Sequence, residues 1–369
     1  MKKTPIILIT IILTPLIFLT GCAQLKTELR KEAGPAKKPL IIENVSLAKK
    51  TVDLTKNEKI IIKYKLTAPA ETVEVTFYNS INEVVAEDQY NSKPAGQNII
   101  EWDGKNREGQ LVVSDVYTYV IKAKTGKRIF TYNPAVRTGN KKLKIENARI
   151  DRDNLQVTYV LPEAAWVRLR LGLKEGALLN TLLDWAPEEA GRHIKSWSGW
   201  DEDDLIRFSK DPQTAVAITA FSLSSNSVII KAGKSPDYFE RYQKLITGKV
   251  KRYPLPVNRE IIVREPEFSI ELGKNYPVNN EGISVVSGKV PVRITISRKD
   301  KKVLVNSRFE LVYFVDTVFL YEDEQAYTPF TYIWDTTGLK EGPHIFTINL
   351  LGYNTSVGIK SIKVVVKNK

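Results

Sequence analysis

The chain has 369 residues, a formal net charge of +13 and a single cysteine. A single cysteine excludes an internal disulfide, and the length allows two or three domains. The lysines and arginines are not interleaved with aromatic residues as on nucleic-acid-binding surfaces, so nucleic acid is not an expected partner. Strand-forming residues are plentiful and long helical periodicities are scarce. We therefore predict an all-β chain.

An apolar segment near the amino end precedes the cysteine. Lys2 and Lys3 are followed by a mostly apolar run over residues 6–19, and then by Thr20, Gly21 and Cys22. A basic start, an apolar core and small residues before a cleavage point are typical of a secretory signal over residues 1–21. The run is too short for a comfortable membrane span, which needs about 20 residues.

Leu19, Thr20, Gly21 and Cys22 resemble the lipobox of bacterial lipoproteins. The resemblance implies that the Cys22 sulfur is acylated, for instance with palmitate, and that the chain is cut before this residue. It also implies that Ala23, in the next position, favours the outer over the inner membrane. The alternatives are an ordinary secretory signal with a chance cysteine, and an uncleaved anchor.

Residues 22–39 are rich in alanine, lysine, glutamate, glycine and proline, which predicts a flexible tether. The first folded unit is then predicted over residues 40–133. Its strand over residues 71–78 alternates with period two and places Val73, Val75 and Phe77 inward. A strand over residues 99–102 leads into the turn Trp102-Asp103-Gly104.

The same order of motifs recurs over residues 140–233, which predicts a second unit. Gly191 corresponds to Gly96, and Trp197-Ser198-Gly199 corresponds to Trp102-Asp103-Gly104. From the tryptophan to the closing alanine the two copies differ by two residues, a length change that a surface loop absorbs at low cost.

A connector over residues 234–257 separates this pair from a third unit. A short helix is predicted over residues 236–246, with Asp237 near its positive end. The third unit covers residues 258–369 and includes an alternating strand over residues 290–296. Asp316-Thr317 predicts a tight link between two strands, and Trp334-Asp335 repeats the earlier motif.

These motifs resemble the Ig-like module of the flagellar hook-cap scaffold protein and of many bacterial exported proteins. Besides the Trp102 turn, the resemblance is carried by Gly96, Gly109, Tyr117 and Tyr119. Asp115-Val116 departs from the pattern, since the family usually has glycine before the aromatic residue. The resemblance implies three tandem Ig-like or fibronectin-like β-sandwiches. It does not imply flagellar work, because a fold does not fix a function.

The repeated tryptophans Trp102, Trp197 and Trp334 end inward-facing strands, so we predict that they close the ends of the sandwich cores. The rival interpretation is an aromatic platform for sugars. Trp185 and Trp200 lie outside the repeat and are predicted to be the exposed aromatic residues.

No catalytic set is evident in the sequence. The two histidines, His193 and His344, lie in different units. Asp201, Asp203 and Asp204 form a weak candidate calcium site, because carboxylate oxygens suit calcium. The alternative is a solvated turn, as for the second acidic run over residues 322–324. We expect no metal and no cofactor.

Together these features predict a non-enzymatic, lipid-anchored binding or scaffolding protein of the bacterial cell envelope, more at the outer than the inner membrane. Its expected partners are the membrane and either an envelope protein or a surface glycan. A glycan-binding module or a component of a carbohydrate-active enzyme is the alternative. Basic clusters at residues 122–128, 141–144, 241–252 and 298–302 fit anionic lipid headgroups, polysaccharide or solvated loops.

Overall fold

Strands dominate the structure, a computed structural model that describes residues 38–248, 257–304, 309–352 and 355–368. Within those ranges the α-helices are α1 (Tyr238–Ile246) and α2 (Arg298–Leu304). Single-turn 3-10 helices lie at Leu54–Lys56, Pro134–Val136 and Glu260–Ile262. The predicted all-β class is confirmed.

The first sandwich begins with eight strands among the described residues. They are β1 (Ile42–Leu47), β2 (Thr51–Asp53), β3 (Ile60–Leu66), β4 (Ala70–Tyr78), β5 (Val84–Lys93), β6 (Gly96–Trp102), β7 (Asp115–Thr125) and β8 (Arg128–Tyr132). One sheet has the order β1-β3-β6, and in the other β4 lies between β5 and β7. Val73, Val75 and Phe77 are fully buried between the sheets, as the alternation of β4 predicted.

The second sandwich follows the same plan. Its strands are β9 (Lys142–Leu143), β10 (Arg149–Asp151), β11 (Gln156–Leu161), β12 (Ala165–Leu173), β13 (Leu178–Glu188), β14 (Gly191–Ser196) and β15 (Thr214–Ser222). The sheets have the orders β10-β11-β14 and β13-β12-β15-β9. Val167, Leu169 and Leu171 face the core of this sandwich and are fully buried.

The strand that follows, β16 (Ser227–Lys231), returns to the first sandwich. It pairs antiparallel with β7, from Ser227 opposite Thr118 to Ile230 opposite Asp115, and parallel with β2. β8 pairs with the other half of the same edge of β7. The last strand of the first sandwich is therefore split into β8 and β16, and the second sandwich is inserted between the halves. The sequence analysis had placed this strand in the second unit, and the structure corrects that placement.

The third sandwich is continuous in sequence. Its strands are β17 (Phe268–Leu272), β18 (Val285–Val286), β19 (Lys289–Ile296), β20 (Phe309–Val315), β21 (Val318–Asp323), β22 (Phe330–Asp335), β23 (Gly342–Gly352) and β24 (Val357–Val366). The sheets have the orders β17-β19-β22 and β18-β24-β23-β20-β21. Asp316 and Thr317 both have positive φ in the tight turn between β20 and β21.

The helix α1 lies between the second and third sandwiches in sequence. Asp237 caps its amino end, because the Asp237 carboxylate accepts a hydrogen bond from the Glu240 backbone N–H at 3.0 Å. This is the capping that the sequence predicted for an acid at the positive end of the helix. Pro254 and Pro256, which follow this helix in the sequence and would prevent its continuation, lie outside the described residues.

Candidate functional site at the junctions between sandwiches

The predicted lipidation site lies outside the described residues. Leu19, Thr20, Gly21 and Cys22 all precede residue 38, where the description starts. The acylation of Cys22 therefore stays a prediction. Among the described residues no helix is long and apolar enough to cross a membrane.

The repeated tryptophans are buried, each in the core of its own sandwich. The exposed fractions of Trp102, Trp197 and Trp334 are 4%, 6% and 1%. Trp102 also donates its indole N–H to the Lys105 carbonyl at 2.8 Å. A buried ring cannot stack on a sugar, so these three residues do not form a glycan platform in this structure.

The residue after each tryptophan has the same local role in all three sandwiches. The Asp103 carboxylate accepts from the backbone N–H of Lys105 at 3.1 Å, and the Asp335 carboxylate accepts from that of Thr337 at 3.0 Å. The Ser198 hydroxyl accepts from the Trp200 backbone N–H at 3.2 Å. A short polar side chain bonded two residues ahead is typical of a turn.

The repeat glycines allow this turn to form. Gly104 and Gly199 have φ values of +75° and +88°, a conformation that favours glycine. A side chain at Gly104 would also collide with Leu54, since a Cβ atom there would lie 2.4 Å from the Leu54 Cδ1.

The prediction that Trp185 is exposed is wrong. Trp185 is 1% exposed, and the Arg168 guanidinium carbon lies 4.4 Å from the centroid of its ring. The sequence offered no sign that another part of the chain covers this face of β13. Trp200 is half-buried, with the Arg207 guanidinium 5.9 Å from its ring centroid.

Two of the three aspartates of the acidic loop, Asp201 and Asp203, bind different partners. The Asp201 carboxylate accepts from the backbone N–H groups of Leu205 and Ile206, at 2.7 and 2.8 Å. The Asp203 carboxylate binds the Lys360 ammonium and the Ser361 backbone N–H in the third sandwich. Among the described residues no group of three or more acidic, histidine or cysteine side chains could hold a metal ion.

A buried polar cluster lies where the second sandwich meets the third, and Arg168 is at its centre. Its guanidinium donates to the Asp184 carboxylate at 3.0 Å, to the Val263 carbonyl at 2.7 Å and to the Thr355 carbonyl at 3.2 Å. Arg168 is 2% exposed. Burial lowers the pKa of this guanidinium, and Glu265 and Asp184 oppose that shift.

Glu265 holds the same cluster from the connector side. Its carboxylate lies 3.2 Å from Arg168 and accepts from Arg170 at 2.7 Å and from the Val357 backbone N–H. Burial raises the pKa of Glu265, while the two guanidinium groups favour the charged form. With an arginine on each side, the carboxylate is held as an ion in this cluster.

A second buried ion pair fixes α1 to the first sandwich. The Arg241 guanidinium lies 2.8 Å from the Asp115 carboxylate at the start of β7 and donates to the Ser80 hydroxyl at 2.9 Å. Next to it, the Arg264 guanidinium carbon lies 3.4 Å from the centroid of the Tyr238 ring. The helix thereby connects the first sandwich to the residues that contact Trp185 and Asp184.

These clusters are suited to holding surfaces together and poorly suited to proton transfer. Asp184 and Glu265 share Arg168, and their remaining oxygens accept from backbone N–H groups. A carboxylate used in this way is not free to act as a general acid or base. Arg168 and Arg170 alternate along β12 with the core residues Val167, Leu169 and Leu171, so an isolated sandwich would expose both arginines. The connector and the third sandwich cover this face instead.

A separate groove opens between the edge strands β5 and β6 of the first sandwich. It is lined by charged and amide side chains together with Tyr90. Burial, with a smaller effect of Asp103, raises the pKa of Asp88 in this groove. Lys105 lowers the pKa of Asp103, chiefly by its hydrogen bond to the carboxylate. These are side chains that can bind a polar ligand.

The repeat, its turn geometry and the paired sheets define the type of the first sandwich. Residues 49–127 match the family model of the FlgD Ig-like domain. The match includes the Trp102 turn and β7, so this part of the chain resembles an Ig-like module of that type. A comparison with curated protein sequences finds no significant match.

Solved structures to which the chain shows similarity include FlgD from P. aeruginosa, at 20% identity over 24% of this chain and 67% of that chain, with a TM-score of 0.21. The tetra-tandem repeat in the extending region of a large adhesion protein matches at 13% identity over 89% and 74%, with a TM-score of 0.20. An endo-β-1,4-mannanase from Thermotoga petrophila matches at 17% identity over 38% and 26%, with a TM-score of 0.22. This chain thus spans about a quarter of the mannanase, and the Ig-like assignment is based on the family match.

Proposed function

We propose that the protein is a lipid-anchored, non-catalytic scaffolding or binding protein of the bacterial cell envelope. The observation that carries the proposal is the junction built on Arg168, which ties the second sandwich, the connector and the third sandwich by buried hydrogen bonds. A support that presents loops at fixed separations needs junctions that do not bend, and a large buried contact supplies this.

The lipobox over Leu19, Thr20, Gly21 and Cys22 supports the anchored part of the proposal. One acyl chain gives only marginal membrane binding, whereas two or more on one cysteine give a stable anchor. By the rule of the lipoprotein family, an alanine after the cysteine favours the outer membrane over the inner membrane.

Cell fractionation tests the anchor. We expect Cys22→Ser to abolish acylation. Less of the protein should then remain in the membrane fraction and need detergent for its release. Ala23→Ser, which keeps the cysteine, is the matched control and should behave as the native chain. Ala23→Asp should move the protein to the inner membrane if the outer-membrane assignment is correct. Unchanged acylation state and detergent dependence after Cys22→Ser would contradict the anchor.

Crosslinking in cells followed by purification tests the scaffolding part. We expect the native chain to capture a defined envelope protein and Arg168→Met to capture less of it. In this variant Asp184 and Glu265 lose the guanidinium that lies between them. Arg192→Met, which changes an exposed arginine of the same sandwich, is the control. Equal capture by all three chains would show that the junction does not matter for binding.

A second candidate, glycan binding, is favoured by the groove between β5 and β6. Tyr90 is half-buried there beside carboxylates and amides, the groups that commonly bind sugar hydroxyls. Tyr90→Ala should then abolish binding to envelope glycans while the melting temperature changes little. Equal glycan binding by the native chain and this variant would exclude the groove.

A further inference from the structure

The end of the first sandwich from which β4 and β6 start, here called the basal end, is defined by strand register. Leu66 pairs with Gly96, Ala70 pairs with Lys93, and Thr72 pairs with Lys124. The loops over residues 67–69 and 94–95 and the turn over residues 125–128 therefore lie together at this end.

Residues 39–41, which precede β1, also lie at the basal end. The Thr67 hydroxyl donates to the Pro39 carbonyl and accepts from the Ile41 backbone N–H at 2.8 Å. Leu40, between them, is buried in the core of the first sandwich. The point at which the predicted tether joins the folded unit is thus fixed beside the basal loops.

Basic side chains without acidic partners gather at this end. Lys93, Lys124, Lys127 and Arg128 all belong to the strands and turn that form it. Among the described residues none of them makes an ion pair. Of the acids at this end, Glu71 is exposed, and the half-buried Glu43 pairs with Lys65 at 2.9 Å.

The opposite end of the same sandwich is arranged differently. There Lys105 pairs with Asp103 at 2.8 Å, and Lys59 pairs with Glu101 at 3.4 Å. Arg107 pairs with Glu87 at 2.5 Å. The excess positive charge of the first sandwich therefore lies at the basal end and is available to an external anion.

Exposed apolar side chains accompany these charges. Ile129, which follows the basic turn, is 62% exposed, and Ile41, which precedes β1, is 42% exposed. Basic residues interspersed with exposed apolar residues suit the boundary between lipid headgroups and acyl chains.

We propose that the basal end of the first sandwich docks on anionic lipid headgroups. The inference rests on the proposed anchor at Cys22, because residues 22–37 then hold this end within about 56 Å of the bilayer at full extension. Such a short tether gives the basal end a high effective concentration at the membrane surface. Each basic residue near an anionic surface favours membrane association by about fivefold.

The other contacts of the first sandwich leave the basal end free. β16 ends at the opposite end, where Ile230 pairs with Asp115, and the Arg241 guanidinium binds the same Asp115. Docking through the basal end would therefore cover none of the junctions with α1 or with the second and third sandwiches.

Fluorescence quenching on the full acylated chain tests the proposal. A polarity-sensitive dye is attached to Ile129→Cys at the basal end or to Leu111→Cys at the opposite end. These two residues are matched, at 62% and 55% exposed. The protein is reconstituted in vesicles of phosphatidylcholine alone or mixed with phosphatidylglycerol, with a quencher attached to the headgroups.

In the anionic vesicles we expect strong quenching at position 129, weak quenching at position 111, and loss of the difference at about 1 M salt, where the Debye length is about 3 Å. Charge reversal by Lys124→Glu, Lys127→Glu and Arg128→Glu together should lower the docked-to-free ratio at position 129 at least about tenfold. Reversal of Lys59, Lys105 and Arg107 to glutamate is the matched control and should leave quenching at position 129 unchanged.

Flotation of the same samples separates this proposal from the anchor. Flotation with both vesicle types, with equal quenching at the two positions, would overturn the docking proposal while supporting the anchor. Flotation with anionic vesicles alone would overturn the anchor and support docking by charge. Absence of flotation with either vesicle would overturn both.

Discussion

The junction between the first and second sandwiches and the junction between the second and third depend on different kinds of contact. The first sandwich is joined to the second by backbone, because the chain leaves after β8, forms the second sandwich and returns as β16. The second sandwich is joined to the third by side chains, chiefly Arg168, Glu265 and Asn349. The third sandwich has its whole last strand, β24, in one continuous piece.

The difference shows how a string of similar modules can become an ordered array. A split strand fixes two modules through the hydrogen bonds of a sheet, which tolerate many side chains on their exposed face. A side-chain junction depends on a few buried groups, and removal of one of them leaves its partners without compensation. The first junction should therefore be robust to surface substitution, and the second should be sensitive to single changes.

Arg168→Met should have the largest effect, since it leaves Asp184 and Glu265 without the guanidinium between them. Breaking a buried ion pair from one side costs about 3–5 kcal/mol. We expect chemical denaturation to show this loss in free energy of unfolding, with the second and third sandwiches affected together. Arg192→Met should remain within about 0.5 kcal/mol of the native chain. A similar small change for Arg168→Met would remove the contrast between the junctions.

Ile230→Ala tests the split strand. Ile230 is 1% exposed and belongs to the core of the first sandwich, although 100 or more residues separate it in sequence from most of that core. A buried isoleucine truncated to alanine costs about 2–5 kcal/mol. We expect faster amide exchange in β7 of the first sandwich. Val364→Ala in β24 should act on the third sandwich instead, and Lys231→Ala on neither.

Asn349→Ala should have an intermediate effect on the second junction. The Asn349 amide donates to the Leu178 carbonyl and accepts from the Leu178 N–H, both at 2.8 Å. Leaving these backbone groups unpaired costs about 1–3 kcal/mol. Thermal unfolding of this variant, with exposed Gln97→Ala as control, measures the loss. An unchanged melting temperature would mean that water replaces the amide without cost.

The smallest effect is expected from His344 in the third sandwich, whose ring binds the Asp316 carboxylate and the Lys340 carbonyl. Burial opposes its protonation, but the Lys340 carbonyl and the Asp316 carboxylate outweigh burial and raise the pKa of His344 above 6.5. Its stabilising contribution, about 0.2–1 kcal/mol for such a pair, is therefore full below pH 6.5 and lost as the pH rises through the folded-state pKa. Denaturation between pH 5 and 9 should show this loss in the native chain and its absence in His344→Gln.

The sequence predicted the parts of the molecule that depend on local pattern. Alternating residues identified β4 and β19, and Asp237 identified the start of α1. These features follow from periodicities and caps within about ten residues. The turn after each tryptophan was predicted for the same reason, because a short polar side chain and a glycine act on neighbouring backbone groups.

The junctions could not be predicted in this way, because they depend on contacts distant in sequence. β16 has the composition of any buried strand. The sequence of residues 227–231 does not indicate the β-sheet edge with which this strand pairs. Trp185 and Arg168 lie on the outer face of their sheet, where a single module would expose them. They are buried because the connector and the third sandwich cover that face, which is a property of the assembled chain.

The split last strand also sets an order of events during synthesis and export. Half of the β7 edge remains uncovered until residues 227–231 have emerged, and uncovered edges invite wrong pairing. We infer that the inserted sandwich must fold early, because its folding brings β16 next to the unpaired edge of β7. Released chains truncated after residue 226 should accordingly be cut by protease in the first sandwich, and those truncated after residue 235 should resist.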